Sequence, residues 1–244
     1  PGTGKTKTLV SKILYLLQVR KVKPTKITAV TFTKKAAEEM KNRLKEQLGA
    51  QAVRRLQIGT FHSICYELLK KSGEERQLAD QMTTLELVKE AAEQLGMKEN
   101  PRTLLRMISE KKTKNPETEN ESESEYLDQI FTLYQKKLDG LQAMDFDDLL
   151  LKALSPAEDP SFKEQAFSYL FVDEFQDISP IQHRLIEAFS RHGREIFLIG
   201  DPDQAIYGFR GADGKSFERF KKERAFEEIR LKKNYRSSPE ILTA

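Results

Sequence analysis

The apolar positions of the first 75 residues switch repeatedly between a helical and a strand period. Two stripes with three- or four-residue spacing predict helices, and Gly49 after the second stripe is a typical helix stop. Between them, residues 27–33 form the short β-branched run "ITAVTFT", which predicts a buried strand. "LQIGT" and "FHSICYELLKK" then predict a further strand and a helix that ends near Gly73. This alternation predicts an α/β fold with a parallel sheet and helices on both faces. The two stripes consist of Leu9, Ile13, Leu16 and Leu17, and of Ala37, Met40, Leu44 and Leu48.

The pattern changes between residues 76 and 141, where only helical signals are found. Asn100-Pro101 is typical of a helix N-cap followed by a first-turn proline. The polar, charge-segregated stretch 111–125 predicts a mobile loop before the last helix. We therefore predict an all-helical insertion, followed by a capped helix that ends before Pro156. The apolar stripe of the last inserted helix is Tyr126, Leu127, Ile130, Tyr134 and Leu138.

After the insertion the α/β alternation returns. "YLFVDE" and "EIFLIG" predict strands separated by the helix "PIQHRLIEAF", and "EEIRL" predicts a third strand. Ser238-Pro239 is typical of the start of another helix.

Composition narrows the class of protein only slightly. The 244 residues are 38% hydrophobic and 32% charged, and the net charge of +3 is too small to indicate nucleic acid by itself. We expect no membrane association, because no apolar run approaches the length of a membrane span. The single cysteine, Cys65, lies on an apolar helical face and is expected to be a core residue of a protein of the reducing cytoplasm.

The opening "PGTGKT" matches the end of a phosphate-binding loop, whose first glycine would lie upstream of Pro1. Gly2 and Gly4 allow backbone N–H groups to approach phosphate oxygens. Lys5 is expected to reach the terminal phosphates of ATP, and the Thr6 hydroxyl to contact Mg²⁺. These letters alone do not choose among NTPase classes. Residues 2–7 together form the predicted nucleotide contacts: Gly2, Thr3, Gly4, Lys5, Thr6 and Lys7.

Two further stretches carry chemistry. In "YLFVDEFQD", Asp173 follows an apolar strand and could hold Mg²⁺, while Glu174 could accept a proton from the attacking water. In "LIGDPDQAIYGFRGA", the amide of Gln204 could sense the γ-phosphate. The same stretch carries flat side chains suited to stacking on single-stranded bases, namely Tyr207, Phe209 and Arg210.

One acidic cluster and one histidine remain open to a structural interpretation. Asp145, Asp147 and Asp148 could suggest a second metal site, but an N-cap with first-turn acids is the better explanation. His62, near the start of the predicted helix "FHSICYELLKK", could cap that helix.

Seven segments, in this order, resemble the N-terminal part of superfamily 1 DNA helicases of the UvrD/Rep/PcrA type. They are "PGTGKT", "AVTFTKKAAEEM", "GTFHSICYELL", "DFDDLL", "VDEFQD", "IGDPDQAIYGFRGA" and "NYRSSPEIL". The resemblance implies a RecA-like domain, 1A, over 1–75 (without its first strand) and 142–230. It also implies a helical subdomain, 1B, over 76–141, and the beginning of a second RecA-like domain, 2A, over 231–244.

The resemblance also implies roles for individual residues. Tyr235 would stack on adenine, Arg236 would reach the γ-phosphate, and Gln204 would link that phosphate to the DNA site. Single-stranded DNA and its junctions with duplex would be the substrate, with 3′→5′ travel in DNA repair or replication restart. The implied DNA contacts are Thr31, Phe32, Thr33, Thr60, Phe61, His62, Ser63, Tyr207, Phe209 and Arg210.

This sequence departs from the family pattern at Phe209, where relatives often have Trp, so we expect weaker stacking there. The insertion is also shorter than in well-known members. Two alternatives are the helicase part of a RecB- or AddA-like helicase–nuclease, and a non-catalytic DNA-binding fragment. We expect the 244-residue chain by itself to have little ATPase activity, because most of 2A would lie beyond it.

Overall fold

A computed structural model describes residues 2–113, 125–159, 162, 165–204, 216–223 and 226–235. The helices are α1 Lys5–Gln18, α2 Lys34–Leu48, α3 Ala50–Val53, α4 Phe61–Lys71, α5 Gln81–Gln94, α6 Pro101–Thr113, α7 Glu125–Gly140, α8 Phe146–Glu158, α9 Pro180–Ser190 and α10 Ser216–Glu223. The strands are β1 Ile27–Thr31, β2 Gln57–Thr60, β3 Gln77–Leu78, β4 Ala143–Met144, β5 Tyr169–Val172 and β6 Glu195–Leu198. Two compact units result, one formed by 1–64 with 160–244 and the other by 65–159.

The first unit contains a four-stranded parallel sheet in the order β2-β1-β5-β6. All five residues of β1 are buried, as expected for a central strand covered on both faces. Because the strands are parallel, the loops that follow them meet at one edge of the sheet. The predicted α/β class with a parallel sheet is therefore confirmed.

Helices cover this sheet through apolar stripes. Leu9 and Ile13 of α1 and Met40 and Leu44 of α2 are fully buried and share a core with Phe171 of β5. Side chains alternate along a strand, so Leu170 and Val172 face the other side of the sheet. Helix α9 contacts β5, and its Phe189 ring stacks on Phe167 with centroids 4.0 Å apart.

The second unit is mainly helical. Helices α5, α6 and α7 surround a core that includes Val88, Leu104, Ile130 and Tyr134, all at 0% exposure. The predicted stripe of α7 is confirmed at Leu127, Ile130, Tyr134 and Leu138, which are all buried. Strands β3 and β4 pair in parallel within this unit.

Local helix signals were also confirmed. Gly49 ends α2 with a φ of 78°, and its N–H donates to the Lys45 carbonyl. Asn100 caps α6 by accepting a hydrogen bond from Arg102 N at 2.9 Å. Asp145 caps α8 in a reciprocal pair with Asp148, which is the structural explanation preferred above for this acidic cluster.

Cys65 is fully buried, and burial raises the pKa of its thiol to about 12.

Three expectations were wrong. "EEIRL" is not a strand: residues 226–234 form neither helix nor strand, and Ile229 is 73% exposed, so the burial that a strand in this sheet would have is missing. The stretch 76–141 is not purely helical, because Gln77–Leu78 pairs with Ala143–Met144. Helix α8 continues past Pro156 to Glu158, so this proline, which lacks a backbone N–H donor, does not end the helix.

Other expectations fall outside the described residues. They concern most of the polar loop, at 114–124, and the helix predicted after Ser238. Among the described residues, no helix is both long and apolar enough to cross a membrane.

Candidate nucleotide and DNA site

The glycine-rich loop leads directly into helix α1. Gly2 and Gly4 have φ values of 75° and 85°, a backbone conformation that residues with a Cβ rarely adopt. Gly4 is the N-cap of α1 and offers no side chain to its first N–H groups. A helix N-terminus of this kind favours an anion such as phosphate. Thr6 is half-buried in the first turn, next to the exposed Lys7.

Lys5 lies between two acidic loops at the sheet edge. Its Nζ is 3.8 Å from Glu174 Oε2, beyond β5, and 3.7 Å from Asp201 Oδ2, beyond β6. The Lys5 side chain is only 13% exposed, so its charge is poorly screened by water. The structure therefore brings together the predicted phosphate-binding lysine and the predicted general base, which are far apart in sequence.

Asp173, the predicted Mg²⁺ ligand, is a buried carboxylate at the carboxyl end of β5. It is 5% exposed, and its N–H continues the sheet by donating to the Val30 carbonyl at 2.9 Å. Burial, together with the nearby charge of Glu174, raises the pKa of Asp173 to about 6. A buried carboxylate disfavoured in this way would be stabilised by Mg²⁺. The described residues contain no group of three or more His, Cys, Asp or Glu that could hold a metal.

Glu174 itself has a left-handed backbone, with a φ of 51°. This is uncommon for a residue with a side chain and occurs where the surroundings hold it in place. Here the Glu174 N–H donates to Asp173 Oδ1 at 3.0 Å, and the next N–H, of Phe175, donates to the Ile199 carbonyl at 3.0 Å.

Gln204 and Tyr235 also reach this region. The Gln204 amide donates to Asp201 Oδ2, and its backbone N–H donates to the Asp201 carbonyl at 3.0 Å. Tyr235 N donates to the Gly2 carbonyl at 2.8 Å, and the Tyr235 residue is 71% exposed. Gln204 therefore lies beside Asp201, and the backbone of Tyr235 lies beside the glycine-rich loop.

The predicted DNA contacts of β1 and β2 lie side by side. Thr31 and Thr60 are register partners at the carboxyl ends of these parallel strands. Thr33 and Thr60 each cap the helix that follows, through bonds from Ala36 N and Ser63 N. The two loops therefore form one continuous edge beside the acidic loops.

These residues differ in what they could offer to DNA. Thr31 and Phe61 are 1% and 5% exposed, so their side chains support the edge rather than form its surface. Phe32, Ser63 and His62 are half-buried, and burial lowers the pKa of His62, which favours its neutral form near pH 7. Thr60 accepts a hydrogen bond from Ser63 N and so caps α4, which makes a capping role for His62 unnecessary.

Sequence reasoning missed two residues of the site, although it quoted both. Asp201 pairs with Lys5, and the side chain of Gln176 contacts both acidic loops. Their signal was the position of "VDEFQD" and "IGDPDQ" immediately after adjacent strands. Tyr207, Phe209, Arg210 and Arg236 lie outside the described residues.

A parallel sheet with a glycine-rich loop opening a helix, and with acids beyond a neighbouring strand, defines the class of P-loop NTPases. Within that class, this chain belongs to the UvrD/REP helicase N-terminal domain family, which it matches over residues 1–225.

Three relatives illustrate the similarity. The chain is 33% identical to the ATP-dependent DNA helicase PcrA of Leuconostoc citreum, over 100% of this chain and 35% of that protein. It is 33% and 34% identical to the PcrA helicases of Staphylococcus epidermidis RP62A and Staphylococcus aureus Mu50, covering 100% of this chain and 36% of each. The chain thus spans just over a third of the length of these relatives.

Proposed function

We propose that the full-length protein is an ATP-dependent motor that travels 3′→5′ along single-stranded DNA and separates duplex at junctions, in DNA repair or replication restart. The observation that carries this proposal is the position of Lys5 between Glu174 and Asp201, at the edge that also presents the loops of Thr31 and Thr60. The relatives are described as ATP-dependent DNA helicases, which supports ATP and DNA as the two ligands of this protein. We place the activity in the cytoplasm, which suits a buried free thiol.

In this proposal ATP binds with its phosphates at the N-terminus of α1. Lys5 contacts the terminal phosphates, and Glu174 accepts a proton from the attacking water. Gln204 contacts the γ-phosphate, Tyr235 stacks on adenine, and Arg236 stabilises negative charge as it develops. Thr6 and Asp173 would hold Mg²⁺, which when bound neutralises phosphate charge.

The domain assignment is also a proposal. We assign 1A to 1–75 and 142–230, 1B to 76–141, and the start of 2A to 231–244. The compact unit 65–159 is wider than the proposed 1B, because it also takes in most of α4 and all of α8. ATP would draw 1A and 2A together, and hydrolysis would release them.

A directional translocation assay on the full-length protein tests the function. We expect single-stranded DNA to stimulate ATP hydrolysis, and a label at the 5′ end to be displaced before one at the 3′ end. Opposite polarity would contradict the direction alone. ATP hydrolysis that does not respond to DNA would contradict the proposal that the protein is a DNA motor.

Phe209 provides a separate prediction about DNA binding. Replacing Phe209 by Ala should weaken single-strand affinity by about 1–3 kcal/mol, because a stacked base loses its aromatic partner. Fluorescence anisotropy at fixed salt measures this effect, and the KM for ATP without DNA serves as the control. An unchanged titration would reassign Phe209 to packing.

A further inference from the structure

The side chain of Gln176 connects the two acidic loops of the site. It is 2% exposed and lies two residues after Glu174. Its Nε2 donates to Glu174 Oε2 at 2.9 Å and to Asp177 Oδ2 at 3.0 Å. Its Oε1 accepts from the backbone N–H of Asp201 at 2.9 Å. Both amide protons and the carbonyl oxygen of one buried side chain are therefore used.

Only one orientation of this amide satisfies its neighbours. A carboxylate accepts hydrogen bonds and a backbone N–H donates one. If the amide were flipped, its oxygen would face two carboxylates and its NH₂ group would face an N–H. The direction of each bond is thus determined by the chemistry of Glu174, Asp177 and Asp201.

The surroundings leave Gln176 little freedom to move. A Cβ on Gly200 would come within 2.5 Å of Gln176 Oε1 and 2.9 Å of the Phe217 ring, so a side chain at position 200 would require one of them to shift. The Phe175 ring, one residue before Gln176, packs edge-on against Phe217 and Phe220, with centroids 4.8 and 5.4 Å apart.

We propose that Gln176 is a positioning residue that holds one carboxylate oxygen of Glu174 and ties it to the backbone of Asp201. The amide and Lys5 both lie on the Oε2 side of Glu174. Oε1 is therefore the oxygen that accepts the proton from water. The proposal rests on the function proposed above, because it assigns Gln176 a role in the same hydrolysis.

Replacing Gln176 by Met in the full-length protein keeps the side-chain volume and removes all three hydrogen bonds. A freely rotating Glu174 spends less time in the productive orientation, so kcat for ATP should fall by about tenfold or more, while KM changes by less than about twofold. Gln182→Met is the matched control. Gln182 accepts from Ser179 N at 3.0 Å as part of the α9 cap, so its loss should lower thermal stability without lowering kcat.

A double variant separates positioning from general structural damage. If Gln176 acts through Glu174, adding Gln176→Met to Glu174→Gln should not slow the residual hydrolysis further, because the base is already absent. Damage to the fold would instead multiply the two losses.

Each outcome has a defined meaning. A lower kcat with unchanged KM, together with non-additivity in the double variant, supports the proposal. An unchanged kcat in Gln176→Met, or multiplied losses in the double variant, overturns it while leaving the proposed function intact. A wild-type protein that does not hydrolyse ATP overturns both.

Discussion

Replacing Glu174 by Gln in the full-length protein is expected to leave ATP binding intact and to lower the rate of hydrolysis by about 10²–10⁴-fold. The amide has the shape of the carboxylate and can still accept the bond from Gln176 Nε2. It cannot take a proton from water. Lys5 remains 3.7 Å from Asp201, so its position should not depend on Glu174 alone. Single-turnover hydrolysis and titration with a fluorescent ATP analogue measure the two quantities separately.

Glu195→Gln is the matched control for this experiment. Glu195 begins β6, at the opposite edge of the sheet, and pairs with Lys12 of α1. Its replacement also removes one carboxylate, but it should leave hydrolysis unchanged. Substantial steady-state turnover by Glu174→Gln would contradict the role of Glu174 as the base.

Much of the first unit could be predicted, because its signals are local. The fully buried β1 is rich in β-branched residues, and the stripes of α1 and α2 follow one helical face. Gly49 ends a helix through its own backbone conformation. Such features depend on a few neighbouring residues and can be identified without knowing their partners.

Two of the errors occurred where long-range contacts decide the structure. "EEIRL" alternates apolar and polar residues at Ile229, Arg230 and Leu231, as a strand often does. A strand also requires a neighbouring strand to bond its backbone groups. Gln77–Leu78 has a weak strand signal and pairs only because Ala143–Met144 lies alongside. Neither outcome can be derived from local propensity.

The residues of the site show the same difference between local signals, which could be predicted, and long-range contacts, which could not. Lys5, Asp173 and Glu174 could be identified because each belongs to a short motif. The bridge from Gln176 to Asp201 could not, since it joins residues 25 positions apart through one amide. Motif order indicated that these loops share a site, whereas the direction of each hydrogen bond required coordinates.

A second large effect is expected in the helical unit, at Lys112. Its Nζ is 2.7 Å from Asp145 Oδ2 and 2.7 Å from Asp148 Oδ1, and its side chain is 2% exposed. The Tyr134 hydroxyl also donates to Asp145 Oδ2, at 3.0 Å. One buried cation thus joins α6 to the cap of α8 and to α7.

Replacing Lys112 by Met should destabilise this unit by about 3–5 kcal/mol, because two buried carboxylates lose the cation that compensates them. The full-length protein contains several domains, so local opening is a better measure than a single melting temperature. Hydrogen exchange should show faster opening of the amides of α8, while those of β1 and β5 in the sheet keep their protection.

The neighbouring residue supplies the control. Lys111 Nζ is 2.7 Å from Asp128 Oδ1, but the Asp128 side chain is 57% exposed. Removing one partner of such a solvated pair should cost only about 0–1 kcal/mol. Adding Asp145→Asn and Asp148→Asn to Lys112→Met should recover part of the loss, since no buried charge is then left uncompensated. Equal effects of Lys111→Met and Lys112→Met would show that burial does not set the strength of the Lys112 network.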